Sequence, residues 1–422
     1  LDKRTQRIDI GDLNIALLPK QTRGETVTVC MKFKSGDEKN LFGKANLQPV
    51  AAAMLTRGTK TMTRSEIEDR MTELKMAGSI TNFTTTRKNL PAALELVFDA
   101  MHNSIMPQDE FDQFKKQMQV MIESMRDKPD ALAQNAITQH FNTYPKGDPR
   151  YEYSLDESLE QLNKLTVDQV RAFYKEFGGT SRGEISIVGD FDPKAVEKII
   201  RDDYAKYVSK AHYAPVVTEY RPVKATRVVI DTPDKENAII VARSVFPIND
   251  TAPDAPALTV ANWILGGGTG LSNRLIERLR QKEGLSYGAG SHVRIPAKGD
   301  NGSFVFRAIV APQNMLQAEA SARDVIAKAI KDGFTDQEVE EAKKGLLQAM
   351  QVARSQDDVV ARSWNDKMEN QRTWVFSKKQ AEAISKLTTA DVNAALRKYI
   401  KPDEITFVLA GDQKKAAQKK QD

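Results

Sequence analysis

The chain has 422 residues, of which 40% are hydrophobic and 28% charged, and this composition excludes a disordered chain, so we expect at least two soluble globular domains. Lys and Arg residues number 62 against 57 Asp and Glu residues, and the two signs are interleaved, which excludes the broad basic surface of a nucleic-acid-binding protein. No run approaches the roughly 18 consecutive apolar residues of a spanning helix, so we expect no membrane span.

The predicted elements of the first half of the sequence begin with strands and continue with helices. Alternating apolar residues predict a strand over Thr26–Phe33, which contains Cys30, the one cysteine of the sequence. A single cysteine excludes an intrachain disulfide and a cysteine-based metal site. Helical spacing then predicts helices over residues 46–56 and 108–126. The same order returns later, with a strand predicted over residues 238–245 and helices over residues 256–265 and 336–354.

An internal repeat relates the two halves of the sequence. Residues 165–170 read LTVDQV, and residues 387–392, which lie 222 positions further on, read LTTADV. The same offset separates Gly189-Asp190 from Gly411-Asp412. Each copy predicts a helix that begins with a capping box, followed by a strand that ends in Gly-Asp.

A second set of matches lies earlier in each copy, 228 positions apart. Residues 115–116 correspond to 343–344, and residues 130–133 correspond to 358–361. The larger offset predicts a longer loop in the first copy, which we assign to the turn-rich residues 145–149.

Strands that are grouped apart from helices indicate the α+β fold class. We predict two homologous repeats, each a largely antiparallel sheet with helices packed on one face. The first repeat is predicted to comprise residues 1–208 and the second residues 226–422. Residues 209–225 contain Pro215 and Pro222 and are predicted to form an extended linker between them.

The first copy resembles the pitrilysin/insulinase family of zinc peptidases. The resemblance rests on residues 42–45 (FGKA), 54–59 (MLTRGT) and 74–79 (LKMAGS). In this family, an apolar helix that carries the inverted zinc motif His-x-x-Glu-His leads into Met-Leu-x-x-Gly-Thr. Aligning the Met-Leu pair places the five motif positions at residues 49–53, which read PVAAA.

These motif positions lack the side chains that the chemistry needs. Zinc binding requires two imidazoles one helical turn apart, and hydrolysis requires a Glu beside them to deprotonate the bound water. Pro49 and Ala53 cannot bind the metal, and Ala52 cannot act as the base. No two of the four histidines are spaced to replace the ligands on one helix face: His102, His140, His212 and His292. We therefore expect this chain to bind no metal, and the resemblance implies zinc on a complementary half.

The second copy keeps a different feature of the same family. In residues 266–287 (GGGTGLSNRLIERLRQKEGLSY), Gly284 is placed as a left-handed helix C-cap between Arg280 and Tyr287. The spacing resembles the Arg/Tyr pair with which the second half of such an enzyme reaches the zinc site of the first half. The resemblance implies that both side chains donate hydrogen bonds to the oxyanion or to the adjacent substrate carbonyl. Without it, the pair would be interpreted as a surface Arg and a half-buried Tyr.

The glycine run at the start of this segment has two interpretations. Gly266, Gly267 and Gly268 lack the Gly-Lys-Ser/Thr ending of a phosphate-binding loop and the spacing of a dinucleotide fingerprint, so we expect no nucleotide. They form either a tight helix-to-helix connection or a stretch that contacts the peptide substrate, as in related processing peptidases.

Two hypotheses for function follow. In the first, the chain is the non-zinc-binding half of a zinc endopeptidase, inactive alone, and encloses a peptide chamber with a catalytic half that bears His-x-x-Glu-His on the same polypeptide or on a separate subunit. In the second, it is a catalytically inert structural or peptide-binding subunit that resembles the core proteins of respiratory complexes. Leu1 in place of Met suggests a processed product or an excised segment. Resemblance to double-length bacterial zinc proteases favours the bacterial periplasm over the cytoplasm.

Overall fold

The structure is a computed structural model that describes residues 1–268 and 273–418. The strands of the first repeat are β1 (Gln6–Ile10), β2 (Leu13–Pro19), β3 (Thr26–Phe33), β4 (Ala77–Ser79), β5 (Asn82–Thr86) and β6 (Gly183–Gly189). Its helices are α1 (Leu47–Met54), α2 (Arg64–Glu73), α3 (Leu90–Asn103), α4 (Gln108–Met125), α5 (Pro129–His140), α6 (Leu155–Lys164), α7 (Val167–Phe177) and α8 (Pro193–Asp202).

The second repeat follows the same plan. Its strands are β7 (Arg227–Asp231), β8 (Ala238–Pro247), β9 (Ser286–Arg294), β10 (Asn301–Val310) and β11 (Thr406–Gly411). Its helices are α9 (Ala255–Asn262), α10 (Arg274–Ile276), α11 (Met315–Asp332), α12 (Asp336–Ala353), α13 (Asp357–Glu369), α14 (Trp374–Lys386), α15 (Thr389–Tyr399) and α16 (Gln413–Gln418). Two segments are π-helical, Trp263–Gly267 after α9 and Glu277–Lys282 after α10.

Each repeat forms one mixed sheet. The first sheet has the strand order β1-β2-β6-β3-β5-β4, and the second has the order β7-β11-β8-β10-β9. The parallel pairs are β2 with β6 and β7 with β11, and the remaining neighbours are antiparallel. In both sheets the last strand of the repeat therefore lies between two early strands. This arrangement confirms the α+β class with two largely antiparallel sheets.

The capping boxes that the sequence predicts are present at the starts of α7 and α15. The hydroxyl of Thr166 accepts a hydrogen bond from the amide of Gln169, and the hydroxyl of Thr388 accepts one from the amide of Asp391. In each case the side-chain oxygen of the third helical residue also accepts a hydrogen bond from the amide of the Thr, so orphan donors at the helix start are satisfied.

A lysine makes the same side-chain contact at equivalent positions of the two repeats. Lys115 Nζ on α4 donates to the carbonyl of Leu165 at 3.0 Å, and Lys343 Nζ on α12 donates to the carbonyl of Leu387 at 2.9 Å. Both carbonyls lie just before the helix that begins with the capping box. The same contact thus ties the long helix to the next connection in each repeat.

One helix of each repeat packs on the sheet of the other. Side chains alternate between the two faces of a strand, and the principal helices cover one face of each sheet. On the opposite face of the second sheet, α5 contributes Ala133 and Ile137 to an apolar cluster. On the opposite face of the first sheet, α13 contributes Trp364 and Met368 to a cluster with Ala16, Leu18, Cys30 and Val188. The sequence predicts helices on one face of each sheet. The structure adds that one helix from the other repeat covers the second face.

A buried polar contact fixes the position of α13 on the first sheet. Asn365 Nδ2 donates to the carbonyl of Cys30 at 3.0 Å, and its Oδ1 accepts from the hydroxyl of Ser186. Burial raises the pKa of the Cys30 thiol to about 11, so the thiol stays protonated at neutral pH. Because an unpaired amide would be costly in this position, sliding the helix along the sheet is unfavourable.

Residues 209–225 contain no helix or strand. The bounds 1–208, 209–225 and 226–422 for the repeats and their linker stay a prediction. Across residues 1–268 and 273–418, no helix is both long enough and apolar enough to cross a bilayer.

Candidate functional site

The positions of the degenerate zinc motif lie on α1. Pro49 is in the first turn of this helix, where its missing amide hydrogen costs no intrahelical bond. Pro49 and Ala52 are exposed and Ala53 is half-buried, while Ala51 and Met54 face the core. The accessible face of α1 therefore carries no nitrogen, oxygen or sulfur atom from a side chain at these three positions, and they do not fit a zinc ion.

The histidines are spread over the fold and do not converge. His102 stacks on Phe98 with ring centroids 5.2 Å apart, His140 contacts the carbonyl of Lys224, and His212 pairs with Asp37. Within residues 1–268 and 273–418, no group of three or more His, Cys, Asp or Glu side chains is arranged to hold a metal ion.

We expect the isolated chain to bind no stoichiometric zinc, because positions 49, 52 and 53 supply neither ligand nor base. The measurement is metal analysis after dialysis, followed by calorimetric titration with zinc. As a matched control, Pro49→His combined with Ala53→His restores two imidazoles one turn apart and should raise zinc affinity measurably. A tight one-to-one site in the unaltered chain would contradict the expectation.

The segment that carries Arg280 is anchored at its start and closed at its end. Asn273 caps α10 by accepting a hydrogen bond from the amide of Ile276 at 2.9 Å. At the other end Gly284 has φ +61°, so it is the left-handed C-cap that the sequence predicts. The amide of Leu285 donates to the carbonyl of Leu279 at 2.8 Å across this cap. The chain therefore leaves the π-helical turn in a fixed direction and enters β9.

Tyr287 lies at a bulge in β9, which is an edge strand. Gly288 pairs with Ile309 and Ser286 with Val310, so Tyr287 is the extra residue between two consecutive partners. A bulge re-aims the side chain of the inserted residue and is common beside active sites. The Tyr287 side chain is 65% exposed, an unusual degree of exposure for a tyrosine in a strand.

Arg280 is also exposed, and it makes no hydrogen bond or ion pair with any residue in the described part of the chain. Its neighbours differ in this respect, since Arg278 pairs with Glu283 and Lys282 pairs with Glu277. The structure thus places Arg280 and Tyr287 on the two sides of one short cap, both directed away from the core. A guanidinium and a phenol that are free in this way can donate to a ligand.

One ion pair and one hydrogen bond that the sequence analysis missed hold this segment against the long helices. Arg274 makes a bidentate contact with Glu338 of α12, at 2.7 and 2.8 Å. Burial alone would raise the pKa of Glu338, yet hydrogen bonds from Arg274 and Thr335 hold it below its ordinary value. Glu283 accepts from the hydroxyl of Ser321 on α11 at 2.6 Å. Partners so distant in sequence leave no local spacing signal.

The glycine run is tightly packed against its surroundings. A Cβ on Gly266 would lie 2.6 Å from Ser291 Oγ, and one on Gly267 would lie 2.3 Å from Asn262 Nδ2. A Cβ on Gly268 would lie 3.0 Å from the carbonyl of Trp263. A side chain at any of the three positions would be crowded by these atoms. The glycines therefore allow the π-helical turn to pack closely on β9 and α9. A contact of Gly266, Gly267 or Gly268 with a substrate stays a prediction.

The sequence is similar to those of known proteins. Residues 164–346 match the family model described as the peptidase M16 inactive domain. An uncharacterized zinc protease of Mycobacterium bovis is 24% identical over 299 residues, which cover 68% of this chain and 66% of that protein. A non-peptidase homologue of Helicobacter pylori is 20% identical over 404 residues, covering 91% of this chain and 89% of that protein. The chain thus spans just under two thirds of the Mycobacterium bovis protein and nearly nine tenths of the Helicobacter pylori protein.

The fold itself recurs in solved structures. The crystal structure of a peptidase M16 inactive domain from Pseudomonas fluorescens superposes with a TM-score of 0.81 at 20% identity, covering 96% of this chain and 97% of that chain. The two-repeat α+β architecture thus resembles that of a solved M16 inactive domain. The match of residues 164–346 to the peptidase M16 inactive domain agrees with the pitrilysin/insulinase resemblance of the sequence.

Proposed function

We propose that this chain is the non-zinc-binding half of a pitrilysin/insulinase-type zinc endopeptidase. It encloses a peptide chamber together with a catalytic half and supplies Arg280 and Tyr287 to the zinc site of that half. The observation that carries the proposal is the presentation of these two side chains, both exposed, on either side of the turn that Gly284 closes. Their polar groups have no partner within residues 1–268 and 273–418, so they are available to a ligand or to another protein.

The chemistry of peptide hydrolysis explains why such donors are useful. When bound on the catalytic half, zinc would supply an activated water for attack on the peptide carbonyl. The carbonyl oxygen then gains negative charge, and a donor that is already in place stabilises that charge more than it stabilises the ground state. The Arg280 guanidinium can donate two parallel hydrogen bonds, and the Tyr287 hydroxyl can donate one. Neither residue needs to bind the metal.

The alternative is a catalytically inert structural or peptide-binding subunit. It is favoured by the similarity to the Helicobacter pylori protein, which is described as a non-peptidase homologue. The two functions differ in what Arg280 and Tyr287 do, because an inert subunit has no use for unpaired donors at one turn. We also propose a bacterial periplasmic location, on the resemblance to bacterial zinc proteases alone, which cell fractionation tests.

Mixing the chain with a catalytic half tests the proposal. Internally quenched peptides are incubated with this chain, with a His-x-x-Glu-His-bearing half encoded beside it, or with both, in the presence of zinc. We expect cleavage in the mixture and little or none in either sample alone, because the donors and the metal site lie on different halves. Equal cleavage by the catalytic half with and without this chain would favour the inert subunit.

A further inference from the structure

The turn between Arg280 and Tyr287 lies at the surface of the second repeat. Leu279 and Leu285 are buried in the core of the second repeat and hold the backbone on either side of Gly284. Between them the chain projects toward solvent, and neither the Arg280 guanidinium nor the Tyr287 ring is packed in the core. The direction of both side chains therefore depends on how firmly the intervening backbone is held.

Glu283 provides a side-chain contact that ties this turn to α11. One carboxylate oxygen accepts from Ser321 Oγ at 2.6 Å, and the other pairs with Arg278 Nε at 2.5 Å. Ser321 is 7% exposed and belongs to α11, an 18-residue helix whose buried face includes Ala318 and Ala322. A hydroxyl on a packed helix is a fixed point, so Glu283 connects the turn to rigid structure.

We propose that Glu283 and Ser321 are positioning residues that hold Arg280 and Tyr287 in the geometry needed at the zinc site of the catalytic half. This role rests on the proposed function. Hydrogen-bond donors stabilise an oxyanion only within a narrow range of distance, and a misplacement of about 1 Å can cost about a hundredfold in rate. Glu283 and Ser321 act through the turn, because neither has to touch the peptide.

A double-mutant comparison tests the role in the mixed enzyme. We expect Glu283→Ala to lower kcat by about three- to tenfold with KM unchanged, because the donors remain present but less well placed. Glu283→Gln should restore most of the rate, since its amide can still bond to Ser321. In an Arg280→Ala background, Glu283→Ala should have a much smaller effect, because the group that it positions is absent. Ser186→Ala, which removes a buried hydroxyl bonded to Asn365 on the first sheet, is the matched control and should leave kcat unchanged.

Amide hydrogen exchange of residues 284–287 gives a readout that needs no catalysis. In the isolated chain, Glu283→Ala should speed exchange there by about fivefold or more, while exchange in α11 stays unchanged. The positioning role alone would be overturned if the exchange rate of residues 284–287 did not change. It would also be overturned if Glu283→Ala lowered kcat by the same factor with and without Arg280→Ala. A mixture whose turnover ignores Arg280→Ala would instead refute the proposed function, and the positioning role with it.

Discussion

Trp364→Ala is expected to lower the free energy of unfolding by about 3–5 kcal/mol, the usual cost of removing a large buried aromatic side chain. Trp364 is fully buried on α13, where it packs against the first sheet. The helix belongs to the second repeat, so the cavity weakens the contact between repeats as well as the core. We therefore expect one cooperative transition at lower urea concentration, followed by circular dichroism and by the fluorescence of the remaining tryptophans.

Trp364→Phe is the matched control. The indole Nε1 of Trp364 is buried and has no hydrogen-bond partner within the described residues, so this substitution removes an unsatisfied donor as well as apolar area. We expect Trp364→Phe to lower the free energy of unfolding by less than about half as much as Trp364→Ala, because removing the unsatisfied donor offsets part of the lost apolar burial. A loss below about 1 kcal/mol for Trp364→Ala would show that the docking of α13 contributes little to stability.

The exchange of helices explains which part of the fold could be predicted from sequence. The match of residues 130–133 with 358–361 correctly predicts that α5 and α13 are equivalent elements, because both begin with the same pattern. Nothing in either segment tells which sheet it covers. Apolar spacing specifies a buried helix face but not the partner of that face. For α13, the sheet is specified by contacts between residues far apart in sequence, such as Asn365 with Cys30.

The candidate site likewise has features that the sequence predicts and features that it does not. Arg280, Gly284 and Tyr287 are recognisable because a cap signal and a family spacing lie within eight residues. The bulge at Tyr287 depends on the register of β9 with β10, which local sequence does not specify. The π-helical form of Glu277–Lys282 is likewise set by tertiary packing, since its residues have ordinary helix-forming composition.

Arg280→Ala is expected to lower kcat/KM of the mixed enzyme by about ten- to a thousand-fold without unfolding the chain, which is the range for loss of a donor to a developing oxyanion. The fold should be unaffected, because Arg280 is exposed and makes no hydrogen bond or ion pair with the described residues. The measurement is the initial rate of cleavage of a quenched peptide at several substrate concentrations, together with the melting temperature of each variant.

Three further variants separate a directed donor from a general charge effect. Lys282→Ala removes a neighbouring positive charge that pairs with Glu277 at the surface, and it should change the rate less than about twofold. Arg280→Lys keeps the charge but loses the planar guanidinium, so it should retain only part of the rate if two of the guanidinium donors act together.

Tyr287→Phe removes a single hydroxyl and should lower kcat. The effect should be smaller in the Arg280→Ala background if both residues donate to one oxyanion. Equal losses from Lys282→Ala and Arg280→Ala would mean that the second repeat contributes only electrostatic attraction of the peptide, because a general field does not distinguish two cations two residues apart.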